Sequence, residues 1–161
     1  MTKRMKKVVA ILLALALTAC SAPSPRSADE AGAVAAKLFK GPQPTYLIWV
    51  HSGSPSIGLA MASAMIGNIG LDSPKVAEIH KAISQAADKP LHIAVSGPNS
   101  RFTAKATLAA LSRVDGDLPG LSLAFVGDQA DAVELRTAVE AKGAAFLFAP
   151  ANSAASINVQ K

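Results

Sequence analysis

Leu91-His92-Ile93-Ala94-Val95-Ser96-Gly97-Pro98-Asn99-Ser100 reads as a strand, a tight turn and the approach to a helix. Leu91, Ile93 and Val95 alternate with His92 and Ala94, the two-residue period of a strand, and Gly-Pro-Asn-Ser is turn chemistry. Phe102 to Arg113 follows as a helix with Ala104, Leu108 and Leu111 at helical spacing. The unit then recurs. Leu121 to Val126 is a second such strand, Gly127-Asp128 breaks it, and a helix runs on to Lys142. Asp128 is its expected N-cap, Asp131 favours the positive end of the helix dipole, and Gly143 stops it. Ala144 to Phe148 is a further strand.

The same alternation extends toward the N-terminus. Asp72-Ser73-Pro74 opens a helix, with Ser73 as N-cap and Pro74 at the first helical position. Val76, Ile79, Ile83 and Ala86 share one face of it, and Asp88-Lys89-Pro90 ends it. Ile57 to Leu71 is apolar nearly all round and predicts a buried helix, too short to span a membrane. Thr45 to Val50 is β-branched, aromatic and continuous, and predicts the first strand. Strand, helix and strand in alternation predict an α/β fold with a mainly parallel sheet of about four strands covered by helices. The domain is expected over 45–149, with a polar tail over 150–161 in which Ile157 and Val159 offer a short extra strand.

The first 20 residues follow a different logic. Lys3, Arg4, Lys6 and Lys7 precede an apolar run from Val8 to Leu17, and Thr18-Ala19 lead to Cys20. A positive stretch, a short apolar stretch and small residues form a secretory signal, here 1–19. The apolar run is about half the ~20 residues that a membrane-spanning helix needs. Leu17-Thr18-Ala19-Cys20 resembles the lipobox of bacterial lipoproteins. The resemblance implies that the Cys20 thiol takes a diacylglyceryl group, that the Ala19–Cys20 bond is cut, and that the new amine is acylated. A thiol suits this role as the strongest alkylation nucleophile among side chains. Stable anchoring takes at least two acyl chains, and this modification supplies three. Ser21 in place of an aspartate resembles lipoproteins sorted to the outer membrane. Cys20 is the only cysteine, so no disulfide forms within the chain.

Residues 20–44 are expected to be a tether. Residues 21–36 lack large apolar side chains, Ala28 to Phe39 offers a helical turn or two, and Gly41-Pro42-Gln43-Pro44 stops anything helical. Extended at roughly 3.3 Å per residue, such a tether places the domain ~30–50 Å from its attachment.

Charge removes one class of function. Taking the four signal residues from the 16 basic ones leaves 12 against 11 acidic, so the basic pI of 9.6 belongs partly to the precursor. Lys37, Lys40, Lys75, Lys81, Arg101, Lys105 and Arg136 are scattered, and no nucleic-acid partner is expected.

A parallel sheet brings the loops that follow its strands to one edge, where open α/β sheets bind ligands. Those loops run from His51 to Ser56, from Ser96 to Arg101, from Gly127 to Gln129 and from Pro150 to Ser153. Ser54, Asn99 and Arg101 are the candidate ligand contacts, with Arg101 able to hold an anion in a fork. The same residue types also serve as turns and helix caps. The stretch after Val95 lacks the Gly-Lys-Ser/Thr ending of a phosphate loop. There is no Gly-x-Ser-x-Gly elbow, and His51, Ser54 and Asp128 form the one hydrolase-like grouping. His80 lies beside an apolar helix face and His92 alternates away from its strand's apolar side, so neither predicts a metal site. No cofactor is expected, and Trp49 within Leu-Ile-Trp-Val reads as core.

Two functions are compatible with these residues. The first is a binding or scaffolding part of an envelope assembly, with protein partners there and a membrane attachment through Cys20. Conjugation and secretion machines use such parts, and the chain is similar in length and anchor to small lipoproteins that accompany conjugal transfer. The second is an enzyme or binding protein for envelope glycans or small polar ligands at the strand-edge loops.

Overall fold

The computed structural model describes residues 27–39, 45–51 and 73–151. Four strands, β1 (Thr45–Trp49), β2 (Leu91–Ser96), β3 (Leu121–Gly127) and β4 (Ala145–Pro150), form one parallel sheet in the order β1-β2-β3-β4. Four α-helices accompany it: α1 (Ala28–Leu38), α2 (Pro74–Ser84), α3 (Ser100–Leu111) and α4 (Gln129–Glu140). A 3-10 turn, Gln85–Ala87, extends α2. The α/β fold expected from alternation is the fold observed.

Alternation along each strand divides the side chains between two faces. Ile48 and Val50, Leu91, Ile93 and Val95, and Leu121, Leu123 and Phe125 point to one face. There they meet Val76, Ile79 and Ile83 of α2, Ala106, Ala110 and Leu111 of α3, and Leu135 and Val139 of α4. Most of these large side chains are fully buried, each contributing roughly 1.5–3 kcal/mol by leaving water. The other face presents Ala94, Ala124, Val126 and Ala149, with Leu47 and Leu147 at its margins. It is covered by α1 through Val34, Ala35 and Phe39.

That helix corrects the expected tether. Ala28–Leu38 is three full turns, capped by Ser27, whose Oγ accepts the Glu30 N–H at 3.2 Å. Ala31, Val34 and Ala35 are buried, so this stretch belongs to the fold. A helix of such small side chains packs because the sheet beneath it is also small. The C-terminal boundary moves too, since Pro150 ends β4 and Ala151 is buried.

Helix ends follow local chemistry. Pro74 opens α2 as expected, although Ser73 makes no side-chain cap bond. The helix after β2 starts at Ser100 and not at Phe102, because Asn99 caps it. Gly97 lies where a Cβ would collide with the Val50 carbonyl oxygen, so the chain can leave β2 against the end of β1 only through glycine. Gly143, at φ +69°, turns the chain out of α4 in the left-handed region. The expected helix over 57–71, the extra strand at 157–159, and the candidates Cys20 and Ser54 lie outside the described residues.

Candidate functional site

The parallel sheet brings the loops after β2 and β3, with His51 and Ala151 at the ends of β1 and β4, to its carboxyl edge; the rest of the loops after β1 and β4 lies outside the described residues. What the polar residues do there differs from a pocket. Asn99 Oδ1 accepts the Phe102 N–H at 2.9 Å and the Asn99 carbonyl accepts the Thr103 hydroxyl at 2.9 Å. Ser96 Oγ is buried and donates to the Val126 carbonyl at 2.9 Å, tying β2 to β3. Ser100 Oγ, also buried, accepts the Asp128 N–H at 2.8 Å, which ties the start of α3 to the start of α4. The side chains of Ser96, Asn99 and Ser100 are therefore engaged within the protein.

Arg101 is turned away from this network. It is exposed and lines a shallow groove of about 270 Å³ between α3 and α4, with Ala104, Lys105, Ala130, Asp131 and Glu134. Lys105 spans the groove to both Glu134 oxygens at 2.7 and 3.0 Å. Two cations beside two carboxylates leave the groove with no excess positive charge for an anion. Of the expected contacts, then, Asn99 is a cap, Arg101 belongs to an inter-helix groove, and Ser54 is not described. The structure does not bring Asn99 and Arg101 to a common point. A residue that reaches forward to cap a helix looks in sequence like one that reaches for a ligand, which is why spacing could not separate the two.

The hydrolase-like grouping fares no better. His51 follows β1 and Asp128 follows β3, so β2 stands between them and two strand spacings, about 10 Å, separate their backbones. No hydrogen bond or ion pair joins them, and the His51 ring instead meets the Trp49 ring edge-on at 6.2 Å. Asp128 occupies the N-cap position of α4 as expected, but its side chain makes no cap bond. Its Oδ1 is buried and has no hydrogen-bond partner among the described residues. Burial, and secondarily the nearby Asp131, raise its carboxyl above the usual aspartate range.

His92 was expected to point away from the apolar side of its strand, and it does, but into the second buried face. Its ring stacks on Phe39 at 4.5 Å with 6° between the planes, and its Nδ1 has no partner among the described residues. His80 is half-buried with its Nε2 3.5 Å from Ser84 Oγ. Among the described residues no three His, Cys, Asp or Glu side chains gather as a metal site would require.

Topology carries the strongest argument about the edge. Ligand crevices in open α/β sheets form where the strand order reverses, because the two adjoining loops then run to opposite faces. Among the described strands the order β1-β2-β3-β4 has no reversal. α2, α3 and α4 all pack on the same face of the sheet. Comparison with protein-family models, curated proteins and solved structures finds no match to this chain.

Proposed function

We propose that this chain is a lipid-anchored lipoprotein of the bacterial cell envelope whose α/β domain binds or scaffolds protein partners in an envelope assembly. The signal over 1–19 and the Leu17-Thr18-Ala19-Cys20 lipobox support the anchor, which the resemblance places in the outer membrane facing the periplasm. The observation that supports the non-catalytic half is that Ser96, Asn99 and Ser100 spend their hydrogen bonds on the protein itself, along a sheet edge whose described strands show no reversal. Such an edge supports a rigid platform better than a substrate pocket. The outer edges of β1 and β4 are unpaired among the described strands, and an unpaired edge is a surface on which partners add.

Two measurements test this. Cys20→Ser is expected to lose its place in the membrane fraction, while the intact mass of the wild type shows a triacylated chain beginning at Cys20. A mature N-terminus elsewhere removes the anchor. Complementation of a deletion strain tests the domain: a combined Ser54, Asn99 and Arg101 alanine variant, confirmed folded by circular dichroism, is expected to retain activity. Loss of activity in that folded variant would return the edge-pocket reading.

A further inference from the structure

The position of α1 fixes how the domain stands on its membrane. Its direction follows from two contacts. Phe39, just past its C-terminus, stacks on His92 at the amino end of β2. Gly32, two turns earlier, lies against Leu47, midway along β1. The helix therefore runs against the strands, and its N-cap Ser27 lies toward the carboxyl edge of the sheet. The docking is firm, since Ala31, Val34 and Ala35 are buried and Ala31 N–H already donates to the Ser27 carbonyl.

Seven residue steps separate Cys20 from Ser27. At 3.3–3.6 Å per residue they reach at most about 25 Å. The strands are six or seven residues long, so the sheet's amino edge lies ~20 Å beyond its carboxyl edge. Fully extended, the leash could reach past the sheet, but a coil of seven residues averages only roughly 15 Å end to end, so it holds the carboxyl edge nearer the membrane than the amino edge.

We infer that the carboxyl edge of the sheet, with Pro98, Arg101 and Gln129 exposed on it, faces the phospholipid surface that holds Cys20. This rests on the lipid-anchor reading. The partner is the bilayer itself. The amino edge, carrying the exposed Asp88, Lys89 and Asp117, faces away and is the end offered to other proteins. Arg101 on the near edge shares its groove with Asp131 and Glu134, so orientation comes from the point of chain entry and not from attraction to anionic headgroups.

The test uses full-length acylated protein in phosphatidylethanolamine and phosphatidylglycerol vesicles with an energy acceptor on the headgroups. Acylation consumes the single native thiol, so a label at Gln129→Cys or at Lys89→Cys sits on the one free cysteine. The Gln129→Cys label is expected to lie closer to the headgroups by about 20 Å, the length of the strands between the two edges. Salt is expected not to change this, whereas attraction between exposed charges would be screened. Inserting 30 Gly/Ser residues after Ser21 lengthens the coil to roughly 30 Å and is expected to abolish the difference. Acylated protein whose two labels lie equally deep overturns the orientation alone, and so does a difference that survives the long tether. Protein without acyl chains at Cys20 overturns the anchor reading and the orientation with it.

Discussion

The two faces of the sheet solve the same packing problem with different materials. On one, Phe125, Ile93, Val95 and Leu123 project far enough to interlock with the large side chains of three helices. On the other, Ala94, Ala124 and Ala149 barely rise above the backbone, and a single helix reaches them with Val34 and Ala35. The two central strands are buried on both sides, yet the apolar volume per residue is not equal. The first face holds the domain together through area removed from water, and the second depends on close approach. One face should therefore suffer most from losing atoms and the other from gaining them.

Truncation on the first face is the harshest test. Phe125→Ala is expected to cost ~3–5 kcal/mol in denaturant melts, as large-to-small core changes do. A loss below ~1 kcal/mol would mean that this face does not carry the core. The converse test is Ala124→Leu on the second face, where added volume under α1 is expected to cost about 1–3 kcal/mol. A neutral result would show slack beneath the helix and dissolve the contrast.

Helix caps sharpen the comparison further. Asn99→Ala on the three-helix face is expected to lower global stability by ~1 kcal/mol through loss of its bond to Phe102. Ser27→Ala removes the matching cap of α1, and its effect should surface as faster amide exchange within α1 and little shift of the global melt, because α1 can open alone. Equal shifts in the global melts would show that the faces unfold as one.

The smallest effect concerns Asp128. Burial, with Asp131 beside it, raises the carboxyl in the native state above its unfolded value. The native protein therefore holds that proton to higher pH than the unfolded chain does. Stability is full below the unfolded value and falls as pH climbs through the interval up to the native one. Asp128→Asn is expected to be more stable than wild type near neutrality, with the gap closing in acid. A gap that stays constant with pH would mean that the carboxyl titrates alike in both states.

The first face was legible in sequence because its signals are large. Leu91, Ile93 and Val95, and Val76, Ile79 and Ile83, announce strand and helix through side chains that water disfavours. The second face was not, because Ala31 and Ala35 say nothing of burial until Ala94 and Ala124 are seen beneath them. A stretch of small residues reads as tether or as packed helix depending on a partner more than 50 residues away. The order of the strands was likewise invisible, since alternation specifies that strands pair and not which pair. Asn99 was marked as a working residue on residue type and position, and both served a helix cap.

The strand order also has a consequence in time. β3 and β4 pair Ser122 with Ala145 and β2 and β3 pair Leu91 with Leu121, whereas β1 and β2 pair Thr45 with His92, across 47 residues. Each doubling of the loop to be closed costs about 0.6 kcal/mol of chain entropy, and the cost must be met before any contact rewards it. The strand made first on the ribosome is thus expected to pair last, after β2, β3 and β4 have already built the surface on which it docks. Pulse-labelled exchange during refolding should protect the amides of Leu123 and Val95 before that of Ile48, and the reverse order would place the nucleus at the N-terminal edge.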